Sequence, residues 1–121
     1  MSAFPEKKFS EYWERWERHR IEEAHKASLR ARTKLTGLVE TLVHKYGARR
    51  IILFGSLARD EFGPHSDIDI AVEGISKRDY FMALAEICTL MDRWVDLKPI
   101  EDLEPRFLRR VIAEGEEIYA S

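Results

Sequence analysis

Two short motifs, separated by ten residues, constrain the fold of this chain more than any other feature. The first is Gly55-Ser56, which directly follows the apolar run 51–54, and the second is an Asp-Ile-Asp sequence at the start of the alternating run 67–72. A continuous run of β-branched and aromatic residues predicts a strand buried on both faces, and strict alternation predicts a strand with one polar face. We therefore expect two strands of one sheet, joined by a turn and a loop.

The polar face of the second predicted strand carries a pair of carboxylates. Alternation puts Asp67 and Asp69 on one face, whereas Ile68, Ile70 and Val72 take the other. Two neighbouring carboxylates repel each other unless a cation neutralises them. Mg²⁺ is commonly held by one or two carboxylates together with water and the phosphates of a substrate. The motif thus predicts a magnesium site that also binds phosphate.

The turn after the first strand has the features of a phosphate-binding turn. Gly55 allows the backbone to turn closely. Ser56 is predicted to be the N-cap of a short helical turn that runs to Arg59, so that free backbone N–H groups and a hydroxyl face outward together. Such a group of donors suits a phosphate.

A third strand is predicted over residues 93–100, with Asp96 as its chemical residue. Trp94 and Lys98 share the face of Asp96, while the valine and the leucine between them point to the other face. If this strand lies beside the second one, Asp96 completes a triad of carboxylates, which would allow two Mg²⁺ ions to hold a nucleoside triphosphate.

The Gly-Ser and Asp-x-Asp motifs at this spacing resemble the signature of the nucleotidyltransferase superfamily founded by DNA polymerase β. The length of 121 residues points to the minimal nucleotidyltransferase (MNT) branch. The resemblance covers about residues 33–119 and implies an α+β fold, a small mixed sheet covered by helices, here with a long N-terminal helix. It also implies Mg²⁺, with two ions, as the cofactor and ATP as a substrate.

The resemblance implies six site residues, in two groups. The nucleotide-binding group is Gly55, Ser56 and Arg59, and the catalytic, metal-binding group is Asp67, Asp69 and Asp96. The alternative without a functional role is that Arg59 is an ordinary surface residue and that Asp96 is a strand-edge carboxylate beside Lys98. This chain departs from the family pattern at Asp60, where glycine is usual, and the added charge there would either weaken nucleotide binding or point to solvent.

The resemblance also implies a biological role. Many MNT proteins are antitoxins paired with a HEPN-domain ribonuclease toxin, and they transfer AMP from ATP to a hydroxyl of that toxin, typically on a tyrosine. The leading hypothesis is that this chain does the same. A second hypothesis is a catalytically weak module of the same fold that neutralises its partner by contact alone. A third is transfer to a small molecule such as an aminoglycoside.

The N-terminal third is predicted to be a long, densely charged helix over residues 6–35 that continues into a core helix over residues 33–46. Its apolar stripe is thin, with Trp13 and Trp16 near the start. Residues 1–32 are therefore predicted to be a helical extension, and residues 33–121 the MNT domain. The aromatic residues of the extension either bind a partner or a second copy of the chain in a homo-oligomer, or fold back on their own domain, and the sequence does not choose between the two. Arg20 and His25 match a loose HEPN ribonuclease pattern, but a solvated charged face is the favoured explanation.

Two further helices and a closing strand complete the predicted domain. A capping box beginning at Ser76 predicts a helix that ends at Asp92, with an inner face of Phe81, Leu84, Ala85, Cys88 and Met91. A last helix is predicted to begin near Pro105 and to end at Gly115, and residues 118–119 are predicted to form a short closing strand or a tail packed on the core.

Composition excludes several other classes of protein. The formal net charge of −2 gives no global attraction to nucleic acid, so direct binding to nucleic acid is not expected. Cys88 is the single cysteine, which excludes an intramolecular disulfide and a cysteine-based metal cluster. The sequence has no apolar run of membrane-spanning length and no signal-peptide pattern, so a cytoplasmic location without membrane contact is expected.

Overall fold

The computed structural model describes residues 6–63 and 65–121, and these residues form a four-stranded sheet with helices on both of its faces. In chain order the elements are α1 (Glu6–Glu40) with a π-helical continuation (Thr41–Lys45), β1 (Arg50–Phe54), α2 (Gly55–Ala58), β2 (Ile68–Glu73), α3 (Tyr80–Met91), β3 (Val95–Pro99), a 3-10 turn (Ile100–Asp102), α4 (Pro105–Glu114) and β4 (Glu116–Ala120). The predicted α+β class with a mixed sheet and a long N-terminal helix is confirmed.

The strands lie in the order β3-β2-β1-β4. β1 pairs in antiparallel fashion with β2 and with β4, whereas β3 runs parallel to β2. A parallel neighbour needs a crossover connection, which α3 provides. The register pairs Phe54 with Asp69 and Asp69 with Asp96, so the ends of three strands meet at one point of the sheet.

The two faces of the sheet have different roles. On the back face, side chains of β1, β2 and β3 pack against α1 and α3 and form the main core; they include Ile51, Leu53, Ile68, Ile70, Val95 and Leu97. On the front face, Ile52 and Ala71 form a smaller core with Val111 of α4. α4 therefore covers β1 and β2 on the front, and the rest of that face carries the polar residues of β2 and β3.

α1 is one continuous helix from Glu6 to Glu40, as the sequence predicted. Ala27, Ser28 and Ala31 are already buried, so contact with the core begins several residues before position 33. The division of the chain at residue 32 stays a prediction, although no break in the helix marks it. At 35 residues α1 is long, yet neither it nor any other helix of the described chain is apolar enough to cross a membrane.

The predicted inner face of α3 is partly wrong. Phe81 is 76% exposed and Ala85 is also exposed, whereas Ala83, Ile87 and Met91 are the buried residues. Nearly every position of this helix is apolar, so periodicity alone does not select a face. α4, its end at Gly115 and the closing strand β4 agree with the prediction.

Candidate active site

The turn between β1 and α2 is built around Gly55. Its φ of +72° lies in the left-handed region, and a Cβ atom at this position would overlap the carboxylate of Asp69. The glycine therefore lets the backbone pass directly against that carboxylate. α2 begins at Gly55 itself, with Phe54 in the N-cap position and no side-chain capping bond. The prediction of Ser56 as the N-cap is wrong, because the glycine turns the chain one residue earlier.

Three carboxylates lie near one another on the front face. The register pairs Asp69 with Asp96 on adjacent parallel strands, and Asp67 directly precedes β2. The pKa of Asp69 is raised, first by burial and then by the charges of Asp96 and Asp67, while Lys98 and Arg59 oppose the shift. The crowding of negative charge expected at this point of the sheet is thus present.

Lys98 partly compensates this charge. Its Nζ lies 3.2 Å from Oδ2 of Asp96, on the same strand and face. In the described parts of the chain, no group of three or more His, Cys, Asp or Glu side chains is already arranged around a common metal position. The donor set itself fits Mg²⁺, because it consists of hard oxygen ligands whose mutual repulsion a cation would relieve. The use of Asp67, Asp69 and Asp96 as metal ligands stays a prediction.

A cleft of about 620 Å³ opens on the front face between α2, α4 and the start of β2. Its lining contains all three residues predicted to bind nucleotide, and Asp67 and Asp69 as well. Asp96 does not line it. Arg59 belongs to the lining and pairs with Glu61, with Nε 3.3 Å from Oε2. The Gly55 turn and α4 both form walls of the cleft.

Sequence reasoning missed several of the residues that line this cleft. His65, Phe107 and Arg110 were not predicted to belong to the site. Arg110 follows Phe107 by three residues and precedes the buried Val111, so the helical period puts it near the face of α4 that meets the sheet. This helical period assigns Arg110 to the site only when the strand under α4 is known. Arg110, Arg59 and Lys98 give the cleft three basic side chains that suit phosphate groups. The carboxylates of Asp67, Asp69 and Glu114 line the same cleft.

Asp60, the departure from the family pattern, has a structural explanation. Its φ of +58° lies in the left-handed region, where glycine is the favoured residue and aspartate is one of the better tolerated alternatives. The residue is exposed and does not line the cleft. Its effect on nucleotide binding stays a prediction.

Comparison with known proteins agrees with this geometry. The family described as "Polymerase beta, Nucleotidyltransferase" matches residues 37–121. A protein of Methanocaldococcus jannaschii, provisionally named a protein adenylyltransferase, is 36% identical over 93 residues, which are 67% of this chain and 90% of that relative.

Solved structures share the fold. A structure assigned provisionally as a minimal nucleotidyltransferase has a TM-score of 0.59 and 27% identity, and the match covers 78% of this chain and 94% of that one. A toxin-antitoxin crystal structure with AMP-PNP has a TM-score of 0.62 and 21% identity, with 70% and 73% coverage. A tri-AMPylated Shewanella oneidensis HEPN toxin in complex with its MNT antitoxin has a TM-score of 0.56 and 21% identity, with 78% and 73% coverage.

The family match spans more than half of the chain, and the archaeal relative supports it independently. The two structures at 21% identity add evidence for the fold alone. This chain belongs to the DNA polymerase β-like nucleotidyltransferase family and is a transferase enzyme.

Proposed function

We propose that this chain transfers AMP from ATP to a hydroxyl of a HEPN-domain partner protein and thereby acts as an antitoxin. The observation that carries the proposal is the pairing of Asp69 with Asp96 directly beside the Gly55 turn and a cation-lined cleft. The names of the relatives point the same way, since one is called a protein adenylyltransferase and another complex contains an AMPylated HEPN toxin.

The donor half of the reaction would use the cleft. Its volume of about 620 Å³ is within the usual range for a small-ligand site. The backbone N–H groups at Gly55 and Ser56 would donate to the triphosphate. Arg59, Lys98 and Arg110 line the same space and would balance its negative charge.

Asp67 and Asp69 would hold Mg²⁺, with Asp96 as the third carboxylate, and we expect two ions. When bound there, Mg²⁺ neutralises phosphate charge and makes an acceptor hydroxyl more acidic. Burial raises the pKa of Asp69 first, and the charges of Asp96 and Asp67 raise it further against the opposing charges of Lys98 and Arg59. A cation at this position would relieve the part that the neighbouring carboxylates cause.

The acceptor half would depend on Asp96. This carboxylate is half-exposed on the front face and would accept the proton of the acceptor hydroxyl. The acceptor oxygen then forms a bond to the α-phosphorus of ATP, while the bond from that phosphorus to the pyrophosphate oxygen breaks. Pyrophosphate leaves with the electron pair, and its charge faces the cations of the cleft.

The direct test follows labelled AMP from ATP onto a partner protein. The partner is a HEPN-domain protein co-expressed with this chain, and the variants are Asp96→Asn and the control Asp102→Asn. Asp102 is an exposed carboxylate outside the cleft. We expect Asp96→Asn to lose transfer by about 10²-fold or more, the usual scale for a lost proton acceptor, and the control to transfer like wild type.

A second candidate function is neutralisation by contact alone. It is favoured by the ion pair between Lys98 and Asp96, which occupies the carboxylate that catalysis needs. Under this alternative, wild type transfers no AMP to its partner yet still suppresses the partner's ribonuclease activity. Asp96→Asn and Asp67→Asn would then suppress it equally well.

A further inference from the structure

Trp94 is a large apolar residue on the open part of the front face. It is 57% exposed and immediately precedes β3. Its carbonyl oxygen accepts a hydrogen bond from the N–H of Ile68 at 3.2 Å, so pairing with β2 extends one residue before the first paired positions. That register sets Trp94 beside Asp67, and alternation sets it on the face of Asp96. An indole thus borders the carboxylates.

The carboxylates separate two parts of the front face. On one side is the donor cleft, whose lining includes Asp67 and Asp69 but neither Asp96 nor Trp94. α4 closes that side, because it packs over β1 and β2. On the other side is the start of β3, the edge strand of the sheet, where Trp94 and Asp96 lie outside that lining, while Lys98 farther along the strand still belongs to it. Trp94 therefore lies on the side of the catalytic carboxylates away from the donor cleft.

In-line phosphoryl transfer requires the donor and the acceptor to approach from opposite sides. The attacking oxygen approaches the α-phosphorus from the side opposite to the leaving pyrophosphate. With the pyrophosphate beside the Gly55 turn, the acceptor hydroxyl must come from the side of β3. The acceptor chain then passes over the front face, where the exposed indole of Trp94 is available for contact.

The outer edge of β3 is not free to receive that chain as an added strand. The hydroxyl of Tyr80 donates a hydrogen bond to the carbonyl of Leu97, and the N–H of Val95 donates to Sγ of Cys88 at 3.3 Å. Both partners belong to α3, which thereby blocks strand addition at this edge. An incoming protein segment must contact side chains of the front face instead.

We propose that Trp94 is the acceptor-side positioning residue of this enzyme. Its indole packs against the apolar part of the partner segment that flanks the acceptor hydroxyl and holds that hydroxyl over Asp96. Tryptophan suits this task, because it buries a large area with few rotatable bonds and is enriched among residues that dominate binding. The inference rests on the proposed transfer to a protein.

The experiment compares Trp94→Ala, Trp94→Phe and the control Phe81→Ala, an exposed aromatic residue of α3. AMP transfer to the HEPN-domain partner is measured at saturating ATP and Mg²⁺, and ATP affinity is measured by calorimetry. We expect Trp94→Ala to raise KM for the partner by about tenfold or more, with a smaller change in kcat and unchanged ATP affinity. Trp94→Phe should recover most of the loss, and Phe81→Ala should behave like wild type.

Two results would overturn the inference: an unchanged KM for the partner in Trp94→Ala, or a parallel loss of ATP affinity. Failure of the proposed function is recognised separately, because wild type would then transfer no AMP at all. In that case the affinity of the partner for wild type and for Trp94→Ala, measured with a non-hydrolysable ATP analogue, decides the matter. Weaker binding by about tenfold supports the contact, and equal binding or none refutes it.

Discussion

Gly55 and Asp69 are neighbours in the site, and the carboxylate of Asp69 leaves no room for a side chain at position 55. Gly55 has positive φ, and its missing side chain is the space that the carboxylate of Asp69 fills. Gly47 also has positive φ, but a Cβ there would meet nothing within 4 Å. Alanine at position 47 therefore adds backbone strain alone, whereas alanine at position 55 adds backbone strain and a steric overlap.

Gly55→Ala should be clearly more damaging than Gly47→Ala. Both changes pay the strain of alanine in the left-handed region, about 1–2 kcal/mol. Only Gly55→Ala also displaces Asp69, so it should lose more stability and should weaken ATP binding as well. Chemical denaturation and calorimetry of the two variants provide the comparison. Equal losses of stability with unchanged ATP affinity would show that the contact with Asp69 is unimportant.

Asp69 should destabilise the metal-free protein at neutral pH. Its pKa is raised in the folded state by burial and by Asp96 and Asp67, so the ionised form is disfavoured on folding. The folded protein then binds the proton more tightly than the unfolded chain does, and this penalty is present above the raised pKa. It decreases as pH falls through that value towards the ordinary 3.8.

Asp69→Asn should therefore raise the thermal midpoint at neutral pH without divalent cations, and the gain should shrink on acidification. Thermal unfolding of wild type, Asp69→Asn and the exposed control Asp102→Asn across this pH range measures it. A lower midpoint for Asp69→Asn at neutral pH, or a gain that grows as pH falls, would contradict the electrostatic explanation.

At the scale of elements, α1 combines two environments in one helix. Near its start the apolar residues are exposed; Phe9, Tyr12, Trp13 and Trp16 range from 48% to 66% exposure, and the rings of Trp13 and Trp16 stack with centroids 5.3 Å apart. From Ala27 onwards the helix is part of the main core. The first segment suits association with a partner or a second copy, and the second segment suits packing.

Deleting residues 1–24 should leave a folded domain that has lost an association, since the buried residues of α1, among those whose burial the structure describes, all lie beyond that point. Deleting residues 1–31 should reduce stability as well, because Ala27, Ser28 and Ala31 leave the core. Thermal unfolding and sedimentation of both truncations, with and without the HEPN-domain partner, measure the two effects. If the shorter deletion keeps wild-type oligomeric state and partner affinity, the association role of this segment is wrong.

The elements differ in how well their sequences predicted them. β1, β2 and β3 were predictable because each alternates or runs apolar between clear turn signals, and α4 because Pro105 and Gly115 mark its ends. The inner face of α3 was not, because apolar residues surround the helix and only the position of β3 selects a face. The same limit applies to Arg110, whose role depends on which strand lies under α4.

At the scale of the whole molecule, the sheet separates stability from chemistry. The back face buries the main core under α1 and α3, so changes at the polar residues of the front face, outside the small core under α4, cost little packing. The pairing of Asp69 with Asp96 was predictable once β3 was assumed to lie beside β2, and the structure confirms that neighbourhood. The three cationic residues of the cleft, Arg59, Lys98 and Arg110, come from three separate parts of the chain, which no single motif reveals.

The central claim is that the carboxylates and the Gly55 turn form one site for Mg²⁺ and ATP. Calorimetric titration of ATP in Mg²⁺ and in chelator tests it most directly, with Asp69→Asn and the control Asp102→Asn beside wild type. We expect wild type and the control to bind ATP at least about tenfold more tightly in Mg²⁺, and Asp69→Asn to lose most of this difference. ATP binding by wild type that is equally tight in chelator and in Mg²⁺ would contradict the account.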